Sequence, residues 1–314
     1  MSDRLLRLLV ITPLAVLAVA LLAIPSTACA WGPLTHLSFS SQALGQLGSV
    51  GIPTRSLLME FANEFLYGSL AADIVVGKNL ARYIHHCHNW RVGFNVLKAA
   101  EPGPEQAFGL GFLAHLAADT VAHNYFVPYQ TVVSFRRKST RHTYWELRYD
   151  QRMDRALSGV ARRVSDPAYR SNDELLRRTL VGSSVLPFSI SKRLFGSVLA
   201  TARNEPFQAF SRGVLARHHD LPLGEDLVEE TRKLAVSAIV GLLCEGEKSQ
   251  AARADATGAR NIRLATQLRK GLAEQRLHLP LSLARELAIE ARESFRRGIH
   301  GPLVLPAALS KMAA

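Results

Sequence analysis

The stretch His115-Leu-Ala-Ala-Asp119-Thr-Val-Ala-His123 sets two imidazoles and a carboxylate four residues apart in an otherwise apolar run. On an α-helix, steps of four keep side chains near one face, drifting slowly around it. Eight residues of helical rise separate His115 from His123 by about 12 Å, too far to share one metal ion. The spacing therefore predicts two sites, one served by His115 and Asp119 and the other by His123. Buried imidazoles and carboxylates need partners, and a divalent metal is a strong one. Taken alone, a histidine four residues from an aspartate also reads as an ordinary hydrogen-bonded helix pair.

Neighbouring motifs favour the metal. His142-Thr-Tyr-Trp-Glu146 repeats the four-residue step and would complete the second site with His123. Asp73, in Gly68-Ser-Leu-Ala-Ala-Asp-Ile, and the cluster His85-His86-Cys87-His88 offer a carboxylate and an imidazole to the first. Seven of the 11 histidines lie between His36 and His142, which puts the chemistry in the N-terminal half. Zinc accepts such mixed nitrogen and oxygen ligands and keeps a position open for water when it is catalytic. Trp31 adds a further donor if the chain is cut after Ala30. A free α-amino group has a pKa near ~8, low enough to yield its proton to a metal. Its nitrogen and carbonyl oxygen could chelate the ion, with His36 a short loop away. Packing of the chain start against the rest of the protein is the alternative reading of Trp31 and His36.

The elements that would carry these groups are helical. Residues 1–30 read as a signal peptide, with Arg4 and Arg7 ahead of an apolar run from Leu8 to Ile24 and a small-residue exit at Ala28-Cys29-Ala30. A retained anchor and lipidation at Cys29 are the competing readings. From Ser38 onward the apolar spacing is mostly helical, without alternating strands, so the expected fold is all-α. A helix over 104–126 is expected to be buried on most sides and ended by Pro128. A second should run from Thr140 to about Leu157, after a basic loop at Phe135-Arg136-Arg137-Lys138. Ser171-Asn172-Asp173-Glu174 reads as a capping box opening a helix through Leu180. The apolar stretch 181–202 is either a membrane-touching hairpin or buried bundle helix. Residues 225–245, 249–276 and 281–297 read as amphipathic helices. The expected organisation is a signal peptide (1–30), a metal-binding core (31–165) and a helical C-terminal extension of unknown role (166–314).

The 314-residue chain carries a formal net charge of +12. Setting aside residues 1–30 leaves that balance strongly basic, which suits an anionic lipid surface or nucleic acid, or a merely solvated exterior. Beyond the leader only Cys87 and Cys244 remain, too few for a disulfide framework.

Together, Trp-Gly-x-x-Thr-His at the mature start, Gly-Ser-Leu-Ala-Ala-Asp, HHCHNW, HLAADTVAH and HTYWE resemble the zinc-dependent phospholipase C family. That family includes bacterial phosphatidylcholine hydrolases and the catalytic part of the glycosylphosphatidylinositol-specific phospholipase D. The resemblance covers about residues 31–154. It implies an all-α multi-helix bundle, here with additional C-terminal helices, holding up to three zinc ions. Carried over motif by motif, Trp31, His36 and Asp119 would hold one ion. Asp73, His115, Asp119 and a histidine of the HHCH cluster would hold a second, with His88 the first choice and His86 the second. His123, His142 and Glu146 would hold the third. Asp119 to His123 follows the phospholipase D-like spacing, whereas the bacterial enzymes place that histidine further along.

The implied activity is hydrolysis of a phosphodiester in a phospholipid by zinc-activated water, with Asp73 orienting or deprotonating the water. The protein would be exported, periplasmic or secreted, and able to associate with a membrane surface. Two other functions fit the residues. One is a single-strand-specific zinc nuclease, for which the basic charge serves but an aromatic content of 7% offers few stacking platforms. The other is a non-catalytic envelope module stabilised by zinc.

Overall fold

The computed structural model describes residues 31–74, 87–136, 142–154, 156–162, 169–180, 187–201, 223–275 and 279–313. Among them every regular element is helical and no strand occurs. The leader 1–30, His85 and His86, and parts of the 181–202 stretch lie outside the described residues.

The centre of the fold is α5 (Pro104–Val121), buried on nearly all sides as its apolar sequence predicts. Pro104 opens it behind Gly103, whose φ of 91° only glycine adopts easily. Against it lies α3 (Ala62–Ile74). The two helices cross at Gly68 and Gly111 with backbones in direct apposition. A Cβ on Gly68 would stand 2.0 Å from the carbonyl oxygen of Phe108, and one on Gly111 2.0 Å from that of Phe65. This close crossing delivers Ser69 and Asp73 of α3 to the level of His115.

Three further helices frame the pair. α1 (Pro33–Leu44) packs on α3, and α2 (Ile52–Glu60) joins it to α3. α4 (Trp90–Lys98) packs on α5 and starts at Asn89, whose side chain accepts the Arg91 N–H at 2.9 Å. That cap fixes the turn carrying His88.

Beyond Val121 the chain does not stop at Pro128. The helix widens into a π-turn (Ala122–Phe126) and resumes as α6 (Val127–Val133), with Pro128 in its first turn. Proline there cannot donate to the Asn124 carbonyl. Asn261 Nδ2 faces that oxygen instead, at 3.4 Å, and also donates to Asn124 Oδ1 at 3.0 Å. Pro128 therefore does not end the helix, because the π-turn and Asn261 together accommodate it.

The expected 140–157 helix is shorter, as α7 (His142–Asp150), with α8 (Leu157–Arg162) separate. α9 (Arg170–Thr179) begins ahead of Ser171, and no side chain caps it. The expected capping box is thus absent. Asp173 instead bonds the Tyr67 hydroxyl at 2.5 Å and Lys192 at 2.6 Å, tying α9 to α3 and to α10 (Phe188–Thr201). α10 buries Ser191, Leu194 and Phe195, which favours a bundle helix for this part of the apolar stretch. Among the described residues no helix is long and apolar enough to cross a membrane.

In the C-terminal half, α11 (Glu225–Glu245) matches its expected span and packs along α5 and α1. The expected helix 249–276 is broken into α12 (Gln250–Arg253) and α13 (Ala259–Glu274) by a turn at 254–258. α13 and α14 (Leu281–Gly298) pack on α6 and the π-turn, and α15 (Ala307–Ala313) closes against α13. Residues of both halves join one buried apolar core. Cys87 is a buried free thiol and Cys244 an exposed one.

Candidate metal centre

Ser69 and His115 define the first group of ligands. The Ser69 carbonyl can only accept, so His115 Nδ1, 2.9 Å away, must be the N–H donor. In the neutral ring the lone pair then sits on Nε2, the atom that faces the cluster. His88 follows the same logic through Cys87, whose thiol faces the Ala72 carbonyl at 3.3 Å and whose sulfur lies 3.3 Å from His88 Nδ1. With the thiol proton on Ala72, sulfur accepts from Nδ1, and a neutral His88 ring likewise carries its lone pair on Nε2. The two Nε2 atoms face each other at 3.0 Å.

Two carboxylates close on the same point. Asp119 Oδ2 stands 3.2 Å from His88 Nε2 and 3.3 Å from His115 Nε2. Asp73 Oδ1 stands 3.5 and 4.0 Å from the same two nitrogens. Asp119 is completely buried, and among the described residues its two oxygens face imidazole nitrogens of His36, His88 and His115 at 3.2–3.4 Å. Lone pairs of two imidazoles and two carboxylates pointed at one another are strongly unfavourable without a shared cation. A tetrahedral ion with bonds of 2.0–2.1 Å would set its ligand atoms about 3.3 Å apart. The donor set and its spacing therefore fit zinc.

His36 extends the cluster on the other side of Asp119. Its Nε2 lies 3.4 Å from Asp119 Oδ1, longer than a charge-assisted hydrogen bond, and among the described residues neither ring nitrogen makes a shorter one. The ring stacks on that of His115 at 3.7 Å. Burial, helped by His115, lowers the His36 pKa to about 4, so the imidazole is neutral at physiological pH. Burial opposes ionisation of Asp119, but His115 and His123 prevail and hold its carboxyl well below the usual range. A neutral His36 and an ionised Asp119 are states metal binding needs.

Trp31 lies beside this group. Its indole donates to the Ala118 carbonyl at 3.3 Å and packs on Phe39, Phe126 and Tyr149. These contacts anchor the residue next to Asp119. Asp150 completes the anchor. It accepts the Thr35 N–H at 2.8 Å and the Thr35 hydroxyl at 2.9 Å, capping α1 from another helix. Gly32 must pass directly over its carboxylate, where a Cβ would come within 2.3 Å.

His123 sits in the π-turn, fully buried, with Nδ1 2.5 Å from the Ala256 carbonyl. Again the carbonyl makes Nδ1 the donor, so that in the neutral ring the lone pair is on Nε2. Glu146 is buried on α7. His142 opens that helix, and its side chain lies outside the described residues, as does His86 entirely. The structure thus brings His36, Asp73, His88, His115 and Asp119 together, and within this set His36, Asp73 and His115 form one candidate metal group and His88, His115 and Asp119 another.

Residues 35–182 match the family model described as zinc dependent phospholipase C. The chain thus carries a domain of that family over these residues. No curated protein and no solved structure matches it. The match agrees with the all-helical fold and supports a phospholipase C-like function, for which the His/Asp groups are the candidate metal ligands.

Three contributors to this phospholipase C-like centre escaped the sequence reading. Asp150 continues the four-residue step of His142 and Glu146, a signal that was there to be read. The Gly68/Gly111 crossing left only the weaker sign of glycines inside apolar helices. The Ala256 carbonyl left none, since a backbone acceptor has no residue signature.

Proposed function

We propose that this protein is an exported zinc-dependent phosphodiesterase that hydrolyses phospholipids. The observation that carries the reading is the convergence of two imidazole Nε2 atoms, of His88 and His115, with the carboxylates of Asp73 and Asp119. Up to three ions are proposed: one with Asp73, His88, His115 and Asp119, one with His36, Asp119 and the amino group and carbonyl of Trp31, and one with His123, His142 and Glu146. Zinc bound there would draw electron density from the phosphoryl oxygens and bring the pKa of water toward neutrality.

The protein's own groups do the rest. Among the five clustered ligands, Asp73 alone reaches solvent, its side chain 11% exposed against 0–1% for the others. Substrate and water therefore arrive on the Asp73 side. Its carboxylate is placed to orient the attacking water and take its proton as the new P–O bond forms. The bond to the departing oxygen breaks in line, and the proton held by Asp73 passes to that oxygen, which leaves as the alcohol. The stacked His36 and His115 rings exclude water from behind. Without cations, Asp73, Asp119 and Glu146 would repel an anionic phosphodiester, so substrate binding depends on the metal.

Export is supported by the leader pattern of residues 1–30. It is also supported by the position of Trp31, whose indole reaches the carbonyl preceding Asp119. N-terminal sequencing of the protein from its native compartment should begin at Trp31; a start at Cys29 with a lipid would remove Trp31 as a chelator. For the activity, turnover of phosphatidylcholine is compared with that of single-stranded DNA before and after chelation. Lipid turnover abolished by chelator and restored by zinc is expected. A zinc-loaded protein that cleaves single-stranded DNA and not lipid would make it a nuclease, and one that cleaves neither would defeat the enzyme reading.

A further inference from the structure

The turn at 254–258 lies far beyond residues 35–182, yet it holds the metal centre from behind. Three consecutive backbone carbonyls of this turn face three side chains of the N-terminal half. Trp90 Nε1 donates to the Ala254 carbonyl at 2.8 Å. Asn124 Nδ2 donates to that of Asp255 at 2.8 Å. His123 Nδ1 donates to that of Ala256 at 2.5 Å. Trp90 stands two residues after His88, and Asn124 follows His123, so the turn bridges two stretches that carry proposed ligands.

The turn is built to keep this shape. The Asp255 carboxylate accepts the Thr257 N–H at 3.0 Å, the Thr257 hydroxyl at 2.8 Å and the Ala259 N–H at 3.3 Å. Gly258 adopts φ of 54° directly against His123. A Cβ there would lie 2.4 Å from the His123 carbonyl oxygen and 2.5 Å from its Cβ. Only glycine lets the turn approach so closely.

We infer that the 254–258 turn is a positioning element of the metal centre, fixing His123 in the tautomer whose Nε2 carries no proton. The inference rests on the reading of His123 as a zinc ligand. A ligating histidine is oriented by the acceptor of its other ring N–H, and losing that acceptor weakens metal binding about 10–100-fold. A backbone carbonyl from the C-terminal half plays that part here. The C-terminal helices α12 and α13 then have a stated role, to present this carbonyl.

The test measures zinc per chain and zinc affinity by chelator competition on the full mature protein. The variants are His123→Ala, Gly258→Ala and Asp255→Ala, with helix content followed by circular dichroism. His123→Ala should lose one zinc. Gly258→Ala and Asp255→Ala should keep their helices and bind that same zinc about 10–100-fold more weakly, with the remaining ions unaffected. Wild-type affinity in both turn variants, with one zinc lost from His123→Ala, would overturn the inference and leave the metal reading standing. A full complement in His123→Ala would overturn both. Should the turn variants not fold, ring ¹⁵N spectra of zinc-loaded wild type decide: a proton on His123 Nδ1 is expected, and one on Nε2 contradicts the inference.

Discussion

Asp150 accepts both the backbone N–H and the hydroxyl of Thr35, so the end of α7 caps the start of α1 across 115 positions of sequence. One side chain thereby sets where Trp31 and His36 sit relative to Asp119. Replacing it with alanine removes acceptors from the first turn of α1, which typically costs about 1–2 kcal/mol. Asp150→Ala is expected to lower the denaturation midpoint and loosen the zinc shared by His36 and Asp119. Unchanged zinc affinity would reduce the cap to a purely structural role.

The same pair gives a pH signature in metal-stripped protein. Burial raises the Asp150 pKa from 3.8 to about 6, against the opposing Thr35 and Leu34 donors. The folded state then holds a proton the unfolded chain has lost, so this term favours folding below pH 3.8 and fades as pH rises to about 6. His36 acts in the opposite sense. Its pKa falls from 6.5 to about 4, so its term is intact above pH 6.5 and is lost as pH falls toward 4. The two slopes offset each other in wild type. Thermal melts from about pH 4 to 7 should rise more steeply with pH in Asp150→Asn and fall with pH in His36→Asn. Parallel curves for all three proteins would contradict the assignment.

The α3–α5 crossing tolerates no side chain. Gly111→Ala drives a Cβ into the Phe65 carbonyl, a backbone atom that cannot swing aside. A loss on the order of 3 kcal/mol is expected, at the upper end for overpacking, together with weaker zinc binding as Ser69 withdraws from His115. Gly241→Ala, on α11 with open space around it, is the control and should be neutral or slightly stabilising. Equal midpoints for the two variants would show that the crossing has slack.

Cys87 is expected to act on zinc without touching it, through the sulfur that faces His88 Nδ1. Cys87→Ala should keep the metal stoichiometry while its affinity for one ion falls about 10-fold or more. Loss of an entire zinc would instead make the thiol a direct ligand.

Asp73 is expected to matter more for turnover than for metal retention. Asp73→Asn keeps an oxygen donor and loses the base, so kcat on phospholipid should fall about 10²–10⁴-fold with most zinc retained. A wild-type kcat in the Asp73→Asn variant would remove Asp73 from proton transfer.

Much of this site was readable because its donors lie on helices at regular steps. His115 and Asp119 emerge on one face, as the four-residue spacing requires, and Asp73 reaches them from an adjacent helix. The fold class followed from the same periodicity. What sequence spacing could not supply was the approach of backbone to side chain. The Ser69 and Ala256 carbonyls choose the tautomers of His115 and His123, and carbonyls look alike at every residue. The break at 254–258 was marked by Asp255 and Gly258, but an otherwise amphipathic run across 249–276 masked it. Pro128 misled for a related reason, since a π-turn and Asn261 together accommodate it.

The most direct measurement is the zinc content of the purified mature protein by atomic emission, beside its Asp119→Ala variant. Close to three ions per chain are expected in wild type. The variant should lose at least one, because Asp119 is shared by the His36 and the His88–His115 positions. A folded wild-type chain that takes up less than one equivalent of zinc would contradict the convergence of these side chains on metal.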